Sequence, residues 1–251
     1  MRIQKKKIGR SSFSNSSDPN LKKYLELKKI DNNLNNLNRT ILNCSRQTLT
    51  RIIYYNKIYE QILNKPGVVM EFGVEYGATI SLLTKLRGVY EPYNYSRKII
   101  GFDTFSGFNG DLTKYEKKAG WKKNDYSTIQ NYENYLNKII KYEEDDAPIN
   151  HLKKFELIKG DASSTVKRYL KKHKQTIIAL AIFDMDVYKP TKNVLEAIKN
   201  RLYKGSILVF DEINHPDFPG ETIALLESLG IRNLQLKNFH GETFSSYVVL
   251  D

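Results

Sequence analysis

Val68-Val69-Met70-Glu71-Phe72-Gly73-Val74-Glu75-Tyr76-Gly77-Ala78-Thr79 reads as an apolar strand that breaks into a turn with two glycines and then enters a helix from about Ala78 to Leu86. Glycine permits positive φ and lets the backbone approach a ligand closely. A helix N-terminus offers unpaired N–H groups to an anionic group such as a carboxylate. The spacing is Gly-x-x-x-Gly, not the Gly-x-Gly-x-x-Gly that seats a dinucleotide pyrophosphate. A merely tight strand-to-helix turn has the same look, so its neighbours decide the reading.

Downstream, strands and helices alternate. Lys98-Ile99-Ile100-Gly101-Phe102 is a short strand ending at Asp103, and Phe155 to Lys159 is another, ending at Gly160-Asp161-Ala162 before a helix over Ser163 to Leu170. The apolar run from Ile177 to Phe183 stops at Asp184-Met185-Asp186, and Pro190 opens a helix that runs over Thr191 to Leu202. Ile207 to Phe210 stops in the same way at Asp211-Glu212. A turn-rich loop with His215 follows, then a helix over Thr222 to Leu229 and two closing strands near 234–236 and 246–250, antiparallel to each other. This alternation predicts a single doubly wound α/β domain.

Open α/β sheets bind ligands outside the carboxyl ends of their strands. Asp103 is then placed for ribose hydroxyls across the crevice from the glycine turn. Asp161 is placed to accept from an adenine amino group, or equally to cap its own helix. Asp184, Asp186, Asp211 and Glu212 put two acid pairs at two strand tips. Solvated helix caps would explain one acid of this kind more readily than four.

The connection between Asp103 and Phe155 holds about fifty residues, well above the usual few for such a link, and carries Phe105, Phe108, Trp121, Tyr126 and a helix over Ile129 to Tyr142. Insertions at a ligand-binding edge serve as lids or substrate walls. Trp121 has two open roles there, stacking on a base or sugar and ordinary packing. Residues 1–20 read as a basic, Ser-rich arm, and the three- and four-residue spacing of apolar positions over 21–65 predicts helices ended by Pro66-Gly67.

The chain has 251 residues, 40% of them hydrophobic, which suits one large domain and excludes a largely disordered protein. One cysteine, Cys44, permits no internal disulfide and points to a reducing compartment, the cytoplasm. No apolar run approaches the ~20 residues of a membrane span, and no apolar segment of a secretory signal follows the basic start. The net charge of +12 raises nucleic acid as a partner. However, the lysines are scattered along the chain and no recognised nucleic-acid motif accompanies them. A diphosphate-bearing small substrate would also suit a basic mouth around an acidic centre, and no membrane partner is expected.

With these pieces placed, the sequence resembles the class I S-adenosylmethionine (SAM) methyltransferases, and within them the macrocin O-methyltransferase group, which methylates hydroxyls of macrolide sugars and TDP-deoxysugars. The resemblance rests on Glu71 to Thr79, Arg87 to Asn94, Gly101 to Phe108, Lys159 to Ala162, Asp184 to Thr191 and Phe210 to Thr222. It spans 68–222 and leaves the first 65 residues almost untouched. It implies a Rossmann-like methyltransferase fold over 66–251, a seven-stranded mostly parallel sheet with one antiparallel strand. The N-terminal helices over 21–65 and the insertion near 106–150 would act as lids, in a homo-oligomer. It further implies a SAM pocket formed by Glu71, Gly73, Tyr76, Gly77, Thr79, Asp103, Ser106, Asp161, Ala162 and Asp184. A Mg²⁺ site on Asp184, Asp211 and Glu212 is also implied, although the family often has Asp where this chain has Glu212.

The expected activity is methyl transfer to a sugar or nucleotide-sugar hydroxyl, with Asp186 as general base and His215 as its competitor. One rival is a glycosyltransferase that uses Asp184-Met185-Asp186 to hold a metal and a nucleotide-sugar. Against it stands the separate pocket of Gly73, Gly77 and Asp103. A nucleic-acid-binding module is the other rival.

Overall fold

The computed structural model describes residues 36–110, 112–241 and 245–251. The arm expected over 1–20 and the start of the helical segment expected over 21–65 lie outside them. The chain divides into two compact units, one ending at Leu49 and one running from Thr50 to Asp251. The first contains helix α1 (Asn36–Asn43) and the opening residues of α2 (Arg46–Glu60). The second unit contains the rest of α2 and the whole sheet.

In chain order that unit continues with β1 (Val68–Phe72), α3 (Ala78–Tyr90), β2 (Ile99–Asp103), α4 (Lys114–Lys118), α5 (Tyr132–Asp145) and β3 (Phe155–Lys159). It then runs through α6 (Ala162–Lys172), β4 (Ile178–Phe183), α7 (Tyr188–Ile198), β5 (Ile207–Phe210), α8 (Pro219–Ser228), β6 (Lys237–Asn238) and β7 (Ser246–Val249). The sheet has seven strands in the order β3-β2-β1-β4-β5-β7-β6. All neighbours are parallel except that β7 runs antiparallel to both β5 and β6. The expected seven-stranded sheet with one reversed strand is therefore present. The penultimate strand is only two residues long and lies just beyond the 234–236 expected for it.

β1, β4 and β5 are buried along their whole length. This is why they read as continuous apolar runs rather than alternating ones, as strands covered on both faces do. The two-residue period splits their side chains between two cores. Val69, Leu180, Ile182 and Val209 pack with Tyr55, Ile58 and Tyr59 of α2 and with Ile80 and Leu83 of α3. Met70, Phe72, Ala181, Phe183 and Phe210 pack with Val166, Val194, Leu195 and Leu225 of α6, α7 and α8. No helix of the described residues is long and apolar enough to cross a membrane.

Phenylalanines at the carboxyl ends of four adjacent strands form an aromatic ladder. Phe72 stacks on Phe102 at 5.0 Å and on Phe183 at 5.4 Å, and Phe183 stacks on Phe210 at 4.9 Å. The same residues are register partners across β2, β1, β4 and β5. The next residue on each strand is therefore delivered to one common edge: Asp103, Gly73, Asp184 and Asp211.

Candidate active site

Above that edge lies a cavity lined by the glycine turn from Gly73 to Thr79, by Glu71 and Asp103, by Asp161 and Ala162, and by Asp184 to Val187. Arg51 of α2 and Phe108, Asn109 and Tyr126 of the insertion complete its wall. The structure thus brings together nine of the ten expected cofactor residues. Ser106 is the exception, and it pairs instead with Ser127 in an isolated bridge within the insertion.

The turn is built from the backbone. Gly73 has φ of 93°, and a Cβ there would fall 1.9 Å from the Asp184 carbonyl oxygen. Gly77, at φ 78°, is the N-cap of α3 and, having no side chain, gives it no side-chain cap, so the N-terminus of this 13-residue helix reaches the cavity without an N-cap side chain. Asp103 holds the turn in place: one oxygen accepts from the N–H of Val74 at 2.6 Å and of Glu75 at 2.8 Å, and the other from Phe105 N–H at 2.6 Å. A carboxylate has about four lone-pair sites, which leaves room for a ribose hydroxyl. Asp161 caps α6 by accepting from Ser163 N–H at 3.0 Å while it lines the cavity, so its two expected roles are compatible.

Glu71 is almost fully buried, and among the described residues its Oε2 has no hydrogen-bond partner. Burial first, and then the charge of Asp184, push its carboxyl well above the usual carboxylate range. A buried acid without a matching donor costs free energy. It suits a ligand ammonium group delivered into the cavity. Together with the uncapped helix end, it fits the amino-acid half of a SAM molecule.

On the other side the acids are held by side chains that the sequence left in the background. Glu221 of α8 is fully buried. Its Oε1 accepts from Met185 N–H at 3.1 Å and Asp186 N–H at 3.3 Å, and its Oε2 accepts from Glu212 N–H at 3.2 Å. One carboxylate therefore ties both acid loops together. Gly220 makes that approach possible, since a Cβ there would lie 2.5 Å from the Asp186 carbonyl oxygen. Asp186 sits at φ 63°, a left-handed conformation that Asp tolerates better than most residues. Desolvation, then the charges of Asp184, Glu221 and Glu212, push its carboxyl well above the usual range.

The insertion docks on the same loops. Glu116 of α4 accepts from Tyr188 N–H at 2.6 Å. Trp121 donates its indole N–H to the Asp217 carbonyl at 2.8 Å and packs on Phe218, with Phe108 and Tyr126 beside it. Of the two roles open for Trp121, the structure shows packing. His215 is buried and does not line the cavity. Its Nδ1 accepts from Asp217 N–H at 3.1 Å, its ring meets Phe218 edge-on, and burial pushes its imidazole pKa down.

The expected magnesium ligands are arranged differently from a metal cage. Asp211 and Glu212 are buried outside the cavity wall, and among the described residues no three His, Cys, Asp or Glu side chains converge as they do around a metal. Asp184 and Asp211 instead share the Arg51 guanidinium, at 3.1 Å and 3.4 Å. Its Nη2 also donates to Thr79 Oγ1 at 2.6 Å. The oxygen donors suit Mg²⁺ chemically, but as placed here they do not fit the ion. Arg51 was not legible beforehand, because one cation on a polar helical stretch looks like any solvated face.

No family model matches the sequence, and no curated protein matches it significantly. Among solved structures, the calicheamicin methyltransferase CalS11 is 36% identical, with 92% of this chain and 93% of that one covered and a TM-score of 0.85. The chain belongs to the class I SAM-dependent sugar O-methyltransferases. An apo structure of CalS11, a TDP-rhamnose 3'-O-methyltransferase of calicheamicin biosynthesis, is 35% identical over 92% of this chain and 95% of that one, with a TM-score of 0.79. The O-methyltransferase NovP, 14% identical over 80% of each chain at a TM-score of 0.63, shares the fold. For this methyltransferase the glycosyltransferase and nucleic-acid readings fall away. The acids at the tip of β4 line the same cavity as the glycine turn.

Proposed function

We propose that this methyltransferase transfers the methyl group of SAM to a hydroxyl of a nucleotide-linked deoxysugar, with Asp186 as the general base. The observation that carries this reading is the placement of Asp186 in the same cavity wall as the Gly73–Thr79 turn. Base and donor pocket thus face one space. The substrate class is supported by the likeness over almost the whole chain to CalS11, an enzyme of TDP-rhamnose.

Bound SAM supplies a methyl group already activated on a sulfonium sulfur. Glu71 receives the amino group of its methionine end, the first turn of α3 its carboxylate, Asp103 a ribose hydroxyl and Asp161 the adenine amino group. Asp186 takes the proton of the sugar hydroxyl as that oxygen bonds to the methyl carbon. The carbon–sulfur bond breaks, and its electron pair stays on sulfur as the thioether of S-adenosylhomocysteine (SAH). A base works best with a pKa near the operating pH, and burial, followed by the crowding of acids around Asp186, raises its carboxyl in that direction. The insertion, docked through Glu116 and Trp121, walls the cavity against water.

The test is incubation with SAM and a panel of TDP- and UDP-sugars, read by mass. Gain of one methyl on a TDP-deoxysugar is expected. Binding of SAH without methylation of any nucleotide-sugar would sink the substrate class. With a single cysteine, Cys44, we also place the enzyme in the cytoplasm, as a homo-oligomer. Light scattering on the purified protein checks the assembly.

A further inference from the structure

Tyr126 comes from the insertion, yet it stands in the same cavity wall as Asp186 and the glycine turn. Its φ is 62°, in the left-handed region that a bulky aromatic residue rarely enters. Such strain persists only where the surroundings over-determine it, and it gathers at ligand-binding sites. The surroundings here are tight. Segment 124–128 is stapled to segment 105–108: Phe108 N–H donates to the Asp125 carbonyl at 3.0 Å, Asn124 N–H to the Phe108 carbonyl at 3.1 Å, and Thr128 Oγ1 to the Phe105 carbonyl at 2.9 Å. Gly107 admits this approach, since a Cβ there would fall 2.2 Å from the Asp125 carbonyl oxygen. The Tyr126 ring then lies 5.3 Å from that of Phe108 and 5.6 Å from that of Trp121.

These ring contacts would be served equally by phenylalanine. What tyrosine adds is a polar point on the wall. Burial first, then the charge of Asp186 ahead of those of Glu75, Glu212 and Asp184, push its phenol far above the usual range, so it keeps its proton and donates. A sugar offers several hydroxyls of similar acidity, and a single base does not choose among them. A fixed acceptor and a fixed donor in one wall do, because only one orientation of the sugar satisfies both. We propose that Tyr126 is the second contact for the acceptor: its phenol donates a hydrogen bond to a sugar oxygen on a carbon next to the hydroxyl that Asp186 deprotonates, and so selects the hydroxyl that is methylated. This rests on the acceptor being a nucleotide-linked deoxysugar and on Asp186 being the base.

The probes are the TDP-deoxysugar that the wild type methylates and its analogues lacking, one at a time, each hydroxyl beside the reacting one. Tyr126→Phe keeps the ring and its packing and removes only the phenolic oxygen. With the parent sugar the variant is expected to lose about tenfold in kcat/KM, the worth of one neutral hydrogen bond. Its product, read by NMR, should carry the methyl group at more than one position. With one of the analogues, wild type and variant should turn over at the same lowered rate, because the contact is already missing from the substrate. SAH affinity in calorimetry should match the wild type, showing that the variant is folded and its donor pocket intact. A tenfold loss that persists with every analogue would overturn the inference, as would an unchanged kcat/KM on the parent sugar or a parallel loss of SAH affinity. Methylation of no TDP-sugar by the wild type would instead sink the substrate-class reading, and this inference with it.

Discussion

The two halves of the cavity rim are built by opposite means. The half around Gly73, Gly77 and Asp103 is mainly a backbone construction: glycines at positive φ, a helix end with glycine at its N-cap, and an aspartate whose oxygens already accept from three backbone amides. The half around Asp184, Asp186, Asp211 and Glu212 is a side-chain construction, tied by Glu221, Glu116 and Arg51. A pocket shaped by backbone leans on few ionisable groups, here chiefly Asp103. A side-chain cluster changes with every proton and cation that reaches it. The first half suits binding a constant donor, and the second suits chemistry.

The sharpest way to break this division is Gly73→Ala. The added Cβ lands 1.9 Å from the Asp184 carbonyl oxygen, a backbone atom that cannot rotate away, at a φ of 93°. A cost of about 4 kcal/mol or more is expected, read as a lowered urea midpoint together with lost SAH binding. Next comes Asp186→Asn, which keeps the shape and removes the base. A fall of about 10²–10⁴-fold in kcat is expected, with SAH affinity in calorimetry close to wild type. If SAH binding fell in parallel, the two halves would not be separable.

Glu221→Gln probes the tie between the acid loops. It leaves one acceptor oxygen for three N–H groups, so a stability loss of about 1–3 kcal/mol is expected, read by thermal or urea unfolding. The same variant sharpens the electrostatic side. Asp186 must be deprotonated to act as the base, so kcat rises with pH through its raised pKa, and Glu221 is one of the charges that raise it. Removing that charge lowers the pKa and should move the acid limb of the kcat–pH profile to lower pH. A limb that stays in place, or that vanishes in His215→Asn, would transfer the base role to His215. The smallest effect is expected from Asp161→Ala, which removes the cap of α6 and should cost about 1 kcal/mol. Its SAH affinity shows whether the same carboxylate also reaches the adenine.

Much of this was legible because parallel strands announce themselves. Fully buried β1, β4 and β5 are unbroken apolar runs, and Gly73, Asp184 and Asp211 stand where those runs stop. The helices were legible in position but not in their ends: α7 begins at Tyr188, earlier than the Thr191 expected, because Pro190 is accommodated within the first turn. What stayed hidden was contact at long range. Glu221 reads locally as a first-turn acid on α8, and only the closed fold carries it to Met185, 36 positions away. Arg51 reaches Asp211 across 160 positions, and no local pattern marks such a meeting. Asp103 was read as a ribose contact, while its part in bracing the turn follows from geometry that a linear sequence does not display.

The aromatic ladder of Phe102, Phe72, Phe183 and Phe210 also limits how the gene can change. Residues added or lost in the connecting loops leave the four rings level, so the acceptor wall can be remodelled by length as well as by substitution. One codon inserted into β1 or β4 would lift that strand's ring by about 3.3 Å and turn its functional residue to the opposite face. Drift in this protein should therefore collect insertions and deletions beyond the ladder and almost none beneath it.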